Sequence, residues 1–170
     1  MIDLILIIIF MIFSIDIIMP YKYKIMYKSK HKYLLALLHL SVLALNLFFI
    51  FYLGMNYYND IKINFLGYVF ILIGGLLIAY TLIIMREAAI LPKNKLLTKG
   101  PFKYARHPIY IGYVTIVFGL SLIFGSLQLF IYTIALTFAL NYLAKKEEEE
   151  LIKRFGKAYL DYKKKVKFII

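Results

Sequence analysis

The stretch PIYIGYVTIVFGLSLIFGSLQLFIYTIALTFALNYLA, residues 108–144, decides the fold. It carries no charged side chain and is too long for one membrane-crossing helix, which takes about 17–25 residues. Gly125-Ser126 interrupts it near its middle, so the stretch reads as two spans joined by a tight turn. Towards the N-terminus three further apolar runs of spanning length follow, at residues 2–19, 33–54 and 65–85. The expectation is an all-α, polytopic integral membrane protein of about five transmembrane helices with a cytoplasmic C-terminal helix. Residues 1–92 would hold three spans and a basic loop. Residues 93–170 would hold a second loop, the two-span hairpin and the tail.

Composition agrees with the spans. Of 170 residues 63% are hydrophobic and 18% charged, and the mean hydropathy is +0.79. Soluble domains have about 45–50% apolar residues. A disordered chain, a charge-rich coiled coil and an ordinary water-soluble globule are excluded. With no cysteine there is no disulfide frame, thiolate metal site or cysteine nucleophile. The first run lacks a basic leader and a small-residue cleavage site, so it reads as a retained helix.

The formal charge of +12 is an orientation signal. Lys22, Lys24, Lys28, Lys30 and Lys32 fall in one loop; Arg86, Lys93, Lys95, Lys99, Lys103 and Arg106 fall in the next but one. Every other basic residue except Lys62 lies in the tail from Lys145 onward. Five spans put these three segments on one side, and the positive-inside rule makes that side cytoplasmic, with the N-terminus outside. The partners implied are anionic membrane lipids, and not nucleic acid.

Polar and small residues inside the spans have structural readings first. His39, Asn46, Gln128 and Asn141 suit interhelical hydrogen bonds. Gly67 with Gly74, Gly75 with Ala79, and Gly112 with Thr115 and Gly119 make close-packing faces.

Chemistry needs polar groups gathered at one place, and two clusters supply them. The first is Leu96-Leu97-Thr98-Lys99-Gly100-Pro101-Phe102-Lys103-Tyr104-Ala105-Arg106-His107-Pro108-Ile109-Tyr110-Ile111-Gly112. Gly-Pro marks a turn, and Pro108 suits the first turn of a helix. Arg106 and His107 then stand at a helix N-terminus, which favours anions. The second cluster is the Glu147–Glu150 run, which an up-and-down hairpin returns to the level of Arg106-His107. Together they would face a zwitterionic ligand. Glu149 and Glu150 have Lys153 and Arg154 four residues on and read as surface ion pairs. Glu148 has Lys145 three residues before it. Glu147 has no basic helical neighbour and shares its face with Leu143, Ala144 and Leu151, so a solvated helix face explains it least.

These clusters resemble the isoprenylcysteine carboxyl methyltransferase and phospholipid methyltransferase family of membrane enzymes. The resemblance covers residues 96–166: Arg-His-Pro-x-Tyr-x-Gly at Arg106 to Gly112, then Glu147-Glu148, Leu151, Phe155-Gly156, Tyr159 and Tyr162. It implies S-adenosylmethionine bound without a Rossmann domain, in a cytoplasmic pocket over the last two spans. The implied cofactor-binding set is Asn94, Lys95, Leu96, Leu97, Phe102, Arg106, His107, Pro108, Ile109, Tyr110, Glu147 and Glu148. In that set Glu147 would hold the cofactor's amino group. Arg106 and His107 are the catalytic candidates, and no metal is implied. Asn94 and Phe102 stand where relatives often carry His and Tyr. Leu143 stands where the isoprenylcysteine enzymes carry an Arg assigned to the substrate.

The expected reaction is S-adenosylmethionine-dependent methyl transfer to a lipid or prenylated small molecule, with an isoprenylcysteine-like carboxylate as the first acceptor. N-methylation of a phospholipid amine is the alternative. Further rivals are a membrane reductase, which shares a similar C-terminal pattern, and a non-enzymatic membrane subunit.

Overall fold

The computed structural model describes residues 44–45, 47–56, 64–89 and 96–166. The described residues are helical and contain no strand. We number the helices α1 (Leu47–Asn56), α2 (Asn64–Ala89), α3 (Pro108–Phe124), α4 (Leu127–Phe155) and α5 (Lys157–Lys165). A short 3-10 turn, Gly100–Lys103, lies between α2 and α3. The run at residues 2–19, the basic loop after it, His39, Asn46, Lys62 and Lys93 lie outside the described residues.

The α3–α4 hairpin forms where the sequence breaks. Gly125 closes α3 in the left-handed region at φ 59°, where a Cβ would be strained. Ser126 then caps α4, its hydroxyl accepting from the Leu129 N–H at 3.2 Å. The same hydroxyl donates to the Leu53 carbonyl at 3.1 Å, which ties α1 to the turn.

Glycines set the α2–α3 contact. A Cβ on Gly67 would lie 2.6 Å from the Gly119 carbonyl oxygen, and one on Gly74 would lie 2.6 Å from that of Gly112. The two contacts run in opposite chain directions, so the helices are antiparallel and touch backbone to backbone. Both glycine pairs are therefore packing faces, as their spacing implies. Gly75 is not: nothing lies within 4 Å of its Cβ position, and Ala79 is exposed.

On the other side of α3, α4 presents a stripe of Leu129, Tyr132, Leu136, Leu140, Leu143 and Ala144. It packs with Phe49, Ile50 and Leu53 of α1 and Tyr110 and Val117 of α3. This spacing of three and four residues is the helical core pattern. Asn141 does not cross to another helix. Its amide donates to the Thr137 carbonyl one turn back, at 2.9 Å. Gln128 is half-buried.

Among the described residues, two helices are long and apolar enough to cross a membrane: the Phe65–Arg86 portion of α2, and α4. α3, with 17 residues, is about 25 Å long at ~1.5 Å per residue, short of a ~30 Å hydrocarbon layer. Five full-length spans are thus more than the described residues display. α2 nevertheless exposes Phe65, Leu72, Leu76 and Ile83, an apolar surface suited to lipid or another apolar partner.

Candidate active site

Polar side chains gather where the loop before α3 meets the far end of α4. The loop is shaped by its own sequence. Gly100 takes φ 58°, Pro101 opens the 3-10 turn, and the Tyr104 and Ala105 amides both donate to the Pro101 carbonyl at 3.0 Å. The chain then delivers Arg106 and His107, with His107 as the N-cap of α3 and Pro108 in its first turn. Pro108 has no N–H to leave unpaired there.

The core stripe of α4 continues past Ala144, and the next positions on that face are Glu147 and Glu148. Two carboxylates thus occupy what would otherwise be core positions. Glu148 is the more deeply placed, with 4% of its side chain exposed against 18% for Glu147.

Each acid has its own partners. Glu147 accepts a hydrogen bond from the Tyr110 hydroxyl, and its other oxygen lies 3.4 Å from His107 Nδ1. Glu148 lies 3.0 Å from Arg106 Nη1 and 3.5 Å from His107 Nε2 through one oxygen, and 2.7 Å from Lys163 Nζ through the other. The His107 and Tyr110 rings stack with centroids 5.4 Å apart and planes 10° apart. The two clusters expected to face a zwitterionic ligand together are thus in direct contact with each other.

Helix α5 closes the site from below. Gly156, at φ 54°, breaks α4 and turns the chain so that Tyr159, Tyr162 and Val166 pack against Leu96, Leu151 and Phe155. The Tyr162 hydroxyl donates to the Phe102 carbonyl at 2.6 Å. Burial pushes the Tyr162 pKa up to about 12; nearby Arg106 lowers it and Glu148 raises it. Tyr159 is raised above the ordinary tyrosine value too, by burial and then by the adjacent Glu148 charge.

Of the residues singled out in the sequence, Arg106, His107, Tyr110, Glu147 and Glu148 come together. Pro108 is buried beside them and Ile109 half-buried. Leu96 packs under α5, Phe102 takes part through its backbone, and Leu97 is half-buried. Asn94 and Lys95 lie outside the described residues. Lys163 was not foreseen: it lies beyond the Gly156 break, where helical spacing no longer relates it to Glu148. Nor is Glu148 served by Lys145 as its spacing suggests; Arg106, His107 and Lys163 surround it. Glu149 and Glu150 do form surface pairs, with Lys146 at 3.5 Å and Lys153 at 2.7 Å, each three residues away.

A family model of phospholipid methyltransferases matches residues 63–158. The chain belongs to that family. The match takes in α2 as well as the hairpin, so it begins well before the motif region at residue 96, and it ends just short of Tyr159. No curated protein and no solved structure matches the chain. The family is one of methyltransferases acting on membrane lipid, which favours an enzyme over a non-enzymatic membrane subunit.

Proposed function

We propose that the chain is a membrane methyltransferase that uses S-adenosylmethionine to methylate the amine of a phospholipid. The observation that carries this is the Glu147 carboxylate, partly exposed and set against the stacked His107 and Tyr110 rings at the start of α3. A partly exposed carboxylate held in place by a phenol and an imidazole suits a cationic ligand, because charge-assisted hydrogen bonds favour it. The donor set therefore fits S-adenosylmethionine, whose amino group and sulfonium are both positive. When bound, it supplies an electrophilic methyl group to an in-line nucleophile.

The chain's own residues do the rest. Glu147 holds the ammonium, with the Tyr110 hydroxyl and His107 fixing its orientation. Arg106, His107, Pro108, Ile109 and Tyr110 would line the pocket, with Leu96, Leu97 and Phe102 beside it. Glu148, enclosed by Arg106, His107 and Lys163, anchors the loop to α4 and α5. An amine must lose a proton before it attacks, which calls for a base, and His107 is the candidate beside the site. Methyl transfer otherwise asks mainly for positioning and exclusion of water.

The choice of acceptor turns on Leu143. It stands where a substrate-binding Arg would be, and it is 1% exposed within the core. A carboxylate brought there would meet apolar side chains next to an anionic site, at a desolvation cost of several kcal/mol. A lipid amine, cationic until it loses its proton, meets an anionic site there instead of a like charge, and the phospholipid methyltransferase family match points the same way. The Phe155-Gly156 tail motif and four-Glu run keep the prenylcysteine carboxylate as the second acceptor. The test is transfer of labelled methyl to phosphatidylethanolamine and, separately, to a prenylcysteine analogue. Base-stable label on the phospholipid is expected. Base-labile label on the prenylcysteine alone would reverse the order, and transfer to neither would overturn both.

A further inference from the structure

Beside the site, on the outer side of the loop, a groove runs between α2 and the residues leading into α3. Leu77 and Tyr80 form one wall, Pro101, Lys103 and Tyr104 the other, and Pro108 lies at its inner end. Pro108 directly follows His107, so groove and site meet at the N-terminus of α3. The close approach of the walls depends on Gly100. A Cβ there would lie 2.9 Å from Ile84 Cγ1 and 3.5 Å from the Tyr80 hydroxyl.

The groove's character is mixed in an ordered way. Its loop side carries a cation, Lys103, with Nζ 6.0 Å from the centre of the Tyr104 ring. Its α2 side opens onto an exposed apolar surface, with Leu76 62% and Ile83 56% exposed. A ligand matching both needs an anion at one end and hydrocarbon at the other. A free phosphate would use only the first feature and a neutral hydrocarbon only the second. We propose that this groove seats a membrane phospholipid, its phosphate on Lys103 between Tyr80 and Tyr104 and its acyl chains along α2. The head group beyond the phosphate is then directed past Pro108 towards His107.

This assignment rests on the lipid-substrate reading above, but it is tested by binding alone. The full chain in detergent micelles is given phosphatidylethanolamine or diacylglycerol with identical acyl chains, without S-adenosylmethionine, and the retained lipid is measured by native mass spectrometry. The wild type should retain the phospholipid at least about fivefold better. Lys103→Gln should erase that preference, whereas Lys99→Gln, at an exposed neighbouring lysine outside the groove, should keep it. Equal retention of the two lipids by the wild type, a preference surviving Lys103→Gln, or equal loss in both variants would overturn the groove. A chain that passes this test yet transfers no methyl group to any acceptor would instead refute the proposed reaction and leave the groove standing.

Discussion

Glu147 and Glu148 are adjacent on α4, and the difference in their surroundings gives them different work. Glu147 keeps one side open to a ligand; Glu148 is enclosed by Arg106, His107 and Lys163. Glu147→Gln should therefore weaken S-adenosylmethionine binding by about 1–3 kcal/mol, the scale of a charge-assisted hydrogen bond, with little change in melting temperature. Glu148→Gln removes one acid partner of a buried guanidinium and of Lys163, and should lower the melting temperature well beyond Glu147→Gln. Titration of the cofactor and thermal unfolding of the two variants separate these outcomes; the reverse pattern would exchange the two roles. Much of this contrast was legible in the sequence. Glu147 stands out because no cation lies one helical turn away and it shares a face with Leu143, Ala144 and Leu151, with Glu150 the one other acid there. Lys163 was not legible, because Gly156 redirects the chain and helical arithmetic does not pass through a residue with positive φ. The burial of Leu143 follows from its place on the Leu136–Leu140–Ala144 stripe, although the resemblance drew attention to it as a substrate position.

At the scale of the elements, two junctions hold the site. One is the α2–α3 seam, where Gly74 touches the Gly112 backbone while Gly75 faces open space. Gly74→Ala should destabilise the protein by about 1–3 kcal/mol through overpacking, and Gly75→Ala should be neutral or raise stability by up to ~1 kcal/mol through helix propensity. The pair lies at one depth in one helix, so equal melting shifts would mean that the seam is not where the structure has it. The other junction is α5, held by the Tyr162 hydroxyl on the Phe102 carbonyl. Only the protonated tyrosine can donate. With its folded pKa pushed up to about 12 and an unfolded value near ~10, its contribution is complete below pH ~10 and lost as pH rises to about 12. The melting difference between wild type and Tyr162→Phe should be constant below pH ~10, shrink above it and be gone by about pH 12; a difference independent of pH throughout would detach α5's docking from this bond. The hairpin turn was legible because Gly125 and Ser126 supply the left-handed residue and the cap that it needs. The antiparallel pairing of the glycines follows from packing between helices, on which a single sequence carries only the spacing.

Across the whole molecule, the proposed reaction would need its site on the side where S-adenosylmethionine is made, the cytoplasm. The charge pattern points there: Arg106, Lys103 and the lysines of α5 share one end of the α3–α4 hairpin, while the turn at Gly125-Ser126 is uncharged at the other. α4 is long enough to carry Glu147 clear of a bilayer. From Leu127 to Glu147 is about 30 Å at ~1.5 Å per residue, one hydrocarbon thickness. An α4 that crosses a bilayer from Leu127 would place the acids at the interface rather than within the lipid, where an unpaired carboxylate would be expensive. We propose a multi-pass arrangement with the N-terminus outside and α5 on the cytoplasmic face, where its terminal lysines meet anionic lipid. Because the chain has no cysteine, single substitutions report position without background. In intact cells Asn59→Cys should react with a membrane-impermeant thiol reagent, and Lys157→Cys, at the start of α5 and exposed, should react only after permeabilisation. Labelling of position 157 from outside would invert the orientation and place the site on the wrong side of its methyl donor.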